Sequence, residues 1–358
     1  MIPILECTFD RFQQEMADKY GRDRFVAADI YRQMFAYGDL HMKTTRNRGI
    51  TEALLARLRR GIYLPPPHIV DEHREGDLIK FVCRLADSHT IESVVIPMIS
   101  HYTLCVSSQV GCRMGCVFCE TGRMGLVRNL TVEEITAQVF TAMFHYGFPI
   151  RNIVFMGMGE PLDNFHNVTQ AIRILSDQRG FNIPMSRITL STAGLVNHIH
   201  SLANLNWPTL HLAISLNAPN THIRSRLMPI NQTYPMEAIK EALLAYPLSP
   251  AFSFYIEYVV IKGINDSQAH CRELVNFLKP LPVWFNLIPV NPKSTGTVAH
   301  TTDADVDRFR DYLIQEKAFV RKRATRGRTV MSGCGQLGGR HKGIGFPASD
   351  ETPSAGET

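Results

Sequence analysis

Thr103-Leu104-Cys105-Val106-Ser107-Ser108-Gln109-Val110-Gly111-Cys112-Arg113-Met114-Gly115-Cys116-Val117-Phe118-Cys119 reads as a short apolar strand that runs straight into a thiol-bearing loop. From this point the chain alternates. Apolar runs of strand length stand at Thr103–Ser107, Ile153–Met158, Ile188–Ser191, Leu210–Leu216, Phe254–Val260 and Trp284–Pro289. Helical patterns lie between them. Thr131-Val132-Glu133-Glu134 is a capping box, and Val168, Ala171, Ile172 and Leu175 form one apolar helix face. Met236 to Leu244, Cys271 to Leu278 and Val306 to Leu313 supply three further helices. Six strands alternating with helices predict an α/β fold on a parallel sheet, as an open barrel or a doubly wound sheet. Either places functional residues just after the strand C-termini.

Upstream, the first sixty or so residues read as helical. Phe25, Ala28, Ile30, Tyr31 and Phe35 approximate one stripe, and Thr51 opens a helix through Leu54, Leu55 and Leu58. Pro65-Pro66-Pro67 is a stiff break. A hairpin follows, Asp77 to Leu85 and Ile91 to Met98, with its turn at Asp87-Ser88-His89. The expected organisation is a helical accessory domain over 1–64, linker and hairpin over 65–98, the repeating α/β region over 99–345, and a disordered tail over 346–358.

The chain has 358 residues, 45% hydrophobic and 20% charged, enough for a large core. Eight cysteines are too few for a disulfide scaffold. Met1-Ile2-Pro3-Ile4-Leu5-Glu6 lacks a basic leader, and no run of eighteen apolar residues occurs. The expectation is a cytoplasmic protein whose cysteines serve metal or catalysis. The net charge of +5 is mild. It is clustered at Arg321, Lys322, Arg323, Arg326, Arg328, Arg340 and Lys342, and at Lys43, Arg46, Arg48, Arg57, Arg59 and Arg60. Two such clusters beside a thiol motif point to a polyanionic partner.

Cys112, Cys116 and Cys119 are spaced by three and two residues. Thiolates are the soft ligands of iron–sulfur clusters, and three of them leave one iron of a four-iron cubane open for a small molecule. A zinc site, with Cys105 as fourth ligand, or three unrelated buried cysteines are the alternatives. Cys7, Cys83 and Cys271 read as packing residues.

The Cys-x3-Cys-x2-Cys spacing, with Phe118 before the last cysteine, resembles the radical S-adenosylmethionine (radical SAM) superfamily. Gly157-Met158-Gly159-Glu160-Pro161, after the second strand, looks like its SAM-amino-group segment. From about Phe25 to Gly339 the chain resembles one branch, the RlmN/Cfr family of RNA adenine methyltransferases. The likeness includes Arg128-Asn129-Leu130, Leu190-Ser191-Thr192, Ala213-Ile214-Ser215-Leu216, Asn286-Leu287-Ile288-Pro289, Asn291-Pro292 and Cys334-Gly335-Gln336-Leu337.

The resemblance implies an incomplete (β/α)6 TIM-like barrel, a helical domain that grips RNA, and a methyl-carrier loop around Cys334. It implies Cys112, Cys116 and Cys119 as ligands of a [4Fe–4S] cluster, and Gly159, Glu160, Ser191, Ser215, Leu216, Asn217 and Asn291 as SAM contacts. One SAM methylates Cys334. A second is reductively cleaved to a 5′-deoxyadenosyl radical, which takes a hydrogen from that methyl group. The carbon then adds to C2 or C8 of an adenine, and Cys105 pairs with Cys334 to release the base. Glu92 matches the general base. Ribosomal RNA, with transfer RNA as a further substrate, a flavodoxin or ferredoxin donor and a monomeric state complete the expectation. Asn217, where many members carry His, and Met331-Ser332-Gly333 depart from the usual pattern.

Overall fold

The structure is a computed structural model that describes residues 1–39, 50–64, 68–290, 301–323, 333 and 335–338. Cys334, Asn291, the Pro65–Pro67 break, the tail over 346–358 and the basic residues Lys43, Arg46, Arg48, Arg326, Arg328, Arg340 and Lys342 lie outside the described residues.

The N-terminal part is helical, as its periodicity predicts. After β1 (Ile2–Pro3) come α1 (Phe9–Tyr20), α2 (Arg24–Tyr37) and α3 (Glu52–Gly61). Thr8, Asp23 and Thr51 cap them by accepting hydrogen bonds from backbone amides of the first turn. β2 (Ile62–Tyr63) pairs with β1 in parallel. Phe9, Phe12, Tyr31 and Phe35 form a buried aromatic cluster that reaches Phe181 of the α/β region. Burial of each such ring contributes roughly 1.5–3 kcal/mol. The Thr136 hydroxyl donates to the Leu5 carbonyl at 2.7 Å, a second tie between the two parts.

Next come β3 (Ile69–Glu75), β4 (Leu78–Arg84) and β5 (Thr90–Pro97), an antiparallel series. The hairpin matches β4 and β5; β3 is an addition. The α/β region follows: β6 (Tyr102–Cys105), β7 (Gln109–Cys112), α4 (Glu120–Arg123), β8 (Gly125–Asn129), α5 (Val132–Phe140), β9 (Ile150–Phe155) and α6 (Phe165–Ser176). The chain continues through β10 (Ile188–Thr192), α7 (Val196–Asn204), β11 (His211–Ser215), α8 (Thr221–Leu227), α9 (Met236–Leu244) and β12 (Phe254–Val260). It ends in α10 (Gln268–Leu278), β13 (Val283–Pro289), α11 (Asp303–Gln315) and β14 (Phe319–Lys322). Thr131 and Glu134 form the expected capping box of α5.

One ten-stranded sheet organises all this, in the order β14-β13-β12-β11-β10-β9-β6-β5-β4-β3. From β6 to β14 every pairing is parallel, as helical crossovers require. A single cavity touches Leu78 and Ile96 from one end of this order and Arg321 from the other, so the sheet curls around it. β14 and β3 are not paired with each other, which makes the barrel incomplete. The open-barrel form of the expected α/β fold is the one adopted, with a seventh parallel strand, β14, beyond the six apolar runs.

Candidate active site

β6 ends at Cys105, and the chain turns through 106–108 into the β7–β8 hairpin. Ser107 anchors this turn. Its amide donates to Gln138 Oε1 at 2.8 Å, its hydroxyl donates to the Glu92 carbonyl at 2.6 Å, and its Oγ accepts from the Met158 amide at 2.9 Å. Gln138 of α5 donates back to the Ser107 carbonyl at 3.0 Å. These buried groups lock the start of β5 to the exits of β6 and β9. A Cβ on Gly157 would lie 2.6 Å from the Val106 carbonyl oxygen, so the glycine-rich loop and the thiol loop are in backbone contact.

The strand ends open into one cleft, about 1000 Å³ with its mouth included. Cys112, Cys116 and Cys119 line one wall, and Gly159, Glu160, Ser191, Ser215 and Asn217 line the facing ones. The Val117 amide donates to the Leu227 carbonyl at 3.1 Å, pinning the thiol loop to the end of α8. Burial pushes the Cys112 thiol up to about 12 and raises Cys116 and Cys119 as well. Burial therefore disfavours the bare thiolates, and a metal that binds them in place of the protons offsets that cost. Among the described residues no three His, Cys, Asp or Glu side chains converge closely enough for one metal ion. Three thiols that share a cavity without meeting at a point suit a polynuclear cluster, in which each sulfur binds a different iron.

Gly159 has φ +100, and a Cβ there would sit 2.5 Å from the Gln109 side chain. Gln109 accepts from the Glu160 amide at 2.8 Å and so fixes the loop. Glu160 is buried, and both its oxygens accept backbone bonds, from Leu162 at 3.1 Å and Ala193 at 2.7 Å. Burial outweighs these bonds and pushes its carboxyl up to about 7. The hydroxyls of Ser191 and Ser215 stand 3.5 Å apart on neighbouring strand ends. Asn217 is left-handed, with φ 58; its Oδ1 accepts from the Val259 amide at 2.9 Å and its Nδ2 donates to Met228 Sδ at 3.3 Å. Asn217 is thus built into the wall. Leu216 packs in the core behind it and does not line the cleft.

Glu92 lies on β5, below the cleft wall rather than in it. In the register, Val94 faces both Lys80 and Cys105. Directly opposed residues share a sheet face, as do positions two apart on one strand. Lys80, Glu92 and Cys105 therefore share one face. Lys80 Nζ is 3.4 Å from Glu92 Oε2, a buried ion pair. The Gly338 amide donates to Glu92 Oε1 at 3.2 Å. In the same stretch after Cys334, the Glu120 amide donates to the Gly335 carbonyl at 2.9 Å, and the Thr121 hydroxyl donates to the Leu337 carbonyl at 2.6 Å. Residues 335–338, which follow Cys334 in the chain, are therefore held between the thiol loop and Glu92.

Sequence reasoning gave no part in the site to Lys80, Gln109, Glu257 or Arg323. Glu257 lies at the cleft floor, where it accepts from Asn286 Nδ2 at 2.7 Å and faces the Arg323 guanidinium at 3.5 Å. No local motif marks it. The basic clusters are only partly available to a polyanion. Arg323 turns inward, Lys322 pairs with Asp307 at 2.9 Å, Arg59 pairs with Glu52, and Arg57 stacks over Tyr20.

The radical SAM superfamily profile matches residues 106–275. A relative from Protochlamydia amoebophila, a probable dual-specificity RNA methyltransferase RlmN 1, is 40% identical over 94% of this chain and 94% of its own. The dual-specificity RNA methyltransferase RlmN of Geotalea uraniireducens is 44% identical over 89% of this chain and 92% of its own. A radical SAM methyltransferase structure from Sphaerobacter thermophilus superposes with TM-score 0.85 at 35% identity, covering 94% of this chain and 99% of that one. The chain belongs to the RlmN family of radical SAM methyltransferases. This family uses a [4Fe–4S] cluster and S-adenosylmethionine. The residues present fit both: three separated thiols in one cleft wall, and opposite them a glycine turn with strand-end hydroxyls. Among the described residues no two cysteines are disulfide-bonded, and no helix is long and apolar enough to cross a membrane.

Proposed function

We propose that this protein methylates a ring carbon of adenosine, C2 in preference to C8, in 23S ribosomal RNA and also in transfer RNA. The observation that carries the reading is the bond from Gly338 to Glu92. It ties the segment of Cys334 to a buried carboxylate on the sheet face of Cys105, beside a cleft with three further thiols. Generic radical SAM chemistry needs only those three.

In this reading Cys112, Cys116 and Cys119 hold the cluster. Gly159, Glu160, Ser191, Ser215, Asn217 and Asn291 bind SAM, and Leu216 supports the wall from behind. Cluster and SAM supply 5′-deoxyadenosyl radical chemistry when bound. Cys334 carries the methyl carbon on its sulfur and delivers it to the base. A ring carbon flanked by nitrogens is electron-poor, so delivery from a fixed thioether avoids asking it to act as a nucleophile. Glu92 accepts the proton that the ring carbon loses. Once the adduct has also given up one electron, the Cys105 thiolate attacks the Cys334 sulfur; the C–S bond breaks with its electron pair on carbon, which takes up a proton to become the methyl group, and the Cys105–Cys334 disulfide that results is reopened by reduction. The adenosine must leave any stack to reach the cleft. The helical domain over 1–64 contacts the RNA through phosphates, and the barrel over 99–345 performs the reaction. The enzyme works as a cytoplasmic monomer, with a flavodoxin or ferredoxin as donor.

Mass spectrometry of rRNA and tRNA incubated anaerobically with enzyme, SAM and reductant tests this. Wild type yields 2-methyladenosine, whereas Cys334→Ala cleaves SAM and yields none. Methyl transfer by Cys334→Ala would overturn the reading.

A further inference from the structure

Arg224 of α8 is the largest fully buried side chain among the described residues. Its guanidinium makes five hydrogen bonds. They run to the carbonyls of Leu216 (3.2 Å), Tyr234 (3.3 Å), Ala193 (2.5 Å) and Ser215 (3.4 Å), and to Asn231 Oδ1 (2.8 Å). Every one of these acceptors is neutral. Among the described residues Arg224 has no carboxylate partner. Burying a full charge against dipoles alone is costly, and burial accordingly lowers its pKa to about 10. The Cys116 sulfur favours that charge when it is a thiolate.

The placement explains why such a cation is kept. Ala193 and Ser215, whose carbonyls it binds, line the cleft, so Arg224 stands one layer behind the wall. Its helix ends at Leu227, whose carbonyl receives the amide of Val117, next to Cys116. In the cleft that faces it, Glu257 already has Arg323 as its partner, and three thiolates on a cluster would add negative charge beside the Arg224 wall.

We propose that Arg224 is the buried counter-charge of the cluster held by Cys112, Cys116 and Cys119, and that it favours the reduced state. Reduction adds one negative charge, and a fixed cation in a low-dielectric wall stabilises the more negative state. The inference rests on the cluster assignment above. Arg224 acts through charge and touches no reacting atom, so it is a positioning residue whose signature is a potential.

The test is an EPR-monitored redox titration of anaerobically reconstituted wild type, Arg224→Gln, Arg224→Met and Arg224→Lys. Removing the charge should cut the reduced-to-oxidised ratio at a fixed potential at least tenfold, which is a midpoint about 59 mV more negative. Lys should stay near wild type. Iron content separately reports the packing role of the five hydrogen bonds. Gln and Met perturb packing differently, so either one that holds a cluster decides the matter. A neutral variant with the wild-type midpoint overturns the proposal, as does failure of both neutral variants to hold any cluster while Lys matches them in that loss. Wild type that binds no cluster would instead sink the cluster assignment.

Discussion

Replacing Lys80 with Met should destabilise the protein sharply, because it takes a cation away from a buried carboxylate. Lys80 and Glu92 are 4% and 2% exposed, and their charges stand 3.4 Å apart. Methionine fills nearly the same volume, so the packing loss is small and the electrostatic loss dominates. Breaking a buried pair by removing one partner costs about 3–5 kcal/mol, whereas replacing both by apolar groups is often near neutral. With a urea dependence of roughly 3 kcal/mol per M, a loss of about 4 kcal/mol lowers the unfolding midpoint by about 1.3 M. The double variant Lys80→Met/Glu92→Leu should recover most of that. Urea titrations of the two single variants and the double variant form the cycle. A wild-type midpoint for Lys80→Met, or additive losses in the double variant, would refute the idea that the pair is electrostatically coupled.

Gly157→Ala would place a methyl group 2.6 Å from the Val106 carbonyl oxygen. Backbone must shift, so a loss of about 1–3 kcal/mol is expected from overpacking, with weaker SAM binding by calorimetry. Glu160 gives a pH signature. Its folded-state carboxyl is raised from the ordinary 4.5 to about 7 by burial. The folded state then holds the proton more tightly than the unfolded state does. Its contribution is most favourable below pH 4.5 and declines as pH rises to about 7, by roughly 3 kcal/mol at about 1.4 kcal/mol per unit. The stability difference between wild type and Glu160→Gln should follow that slope in cluster-free protein; a flat difference contradicts it.

Much of the barrel was legible because its strands are buried on both faces and read as apolar runs. The capping box of α5 and the three-thiol spacing are local signals, and local signals survive without tertiary context. The edge strands hid for the opposite reason. Ile69–Glu75 and Phe319–Lys322 carry charges at sheet edges, where charge discourages further pairing. Lys80 was invisible as a partner of Glu92, since a lysine inside Leu78-Ile79-Lys80-Phe81-Val82 gains its meaning only from the register of β4 on β5. Arg224 reads as one more cation of a basic helix beside Arg226; only the fold turns it inward. The pairing inside the basic clusters was hidden for the same reason, since sequence does not say that Lys322 meets Asp307 or that Arg59 meets Glu52.

The carrier role of Cys334 is tested most directly with SAM bearing a trideuterated methyl group. Adenosine and 5′-deoxyadenosine from an anaerobic reaction are weighed by mass spectrometry. A methyl group that first sits on Cys334 and loses one deuterium to the radical must reach adenosine with two deuterium atoms, and the third must appear in 5′-deoxyadenosine. Methyladenosine that retains all three deuterium atoms, with unlabelled 5′-deoxyadenosine, would contradict the account.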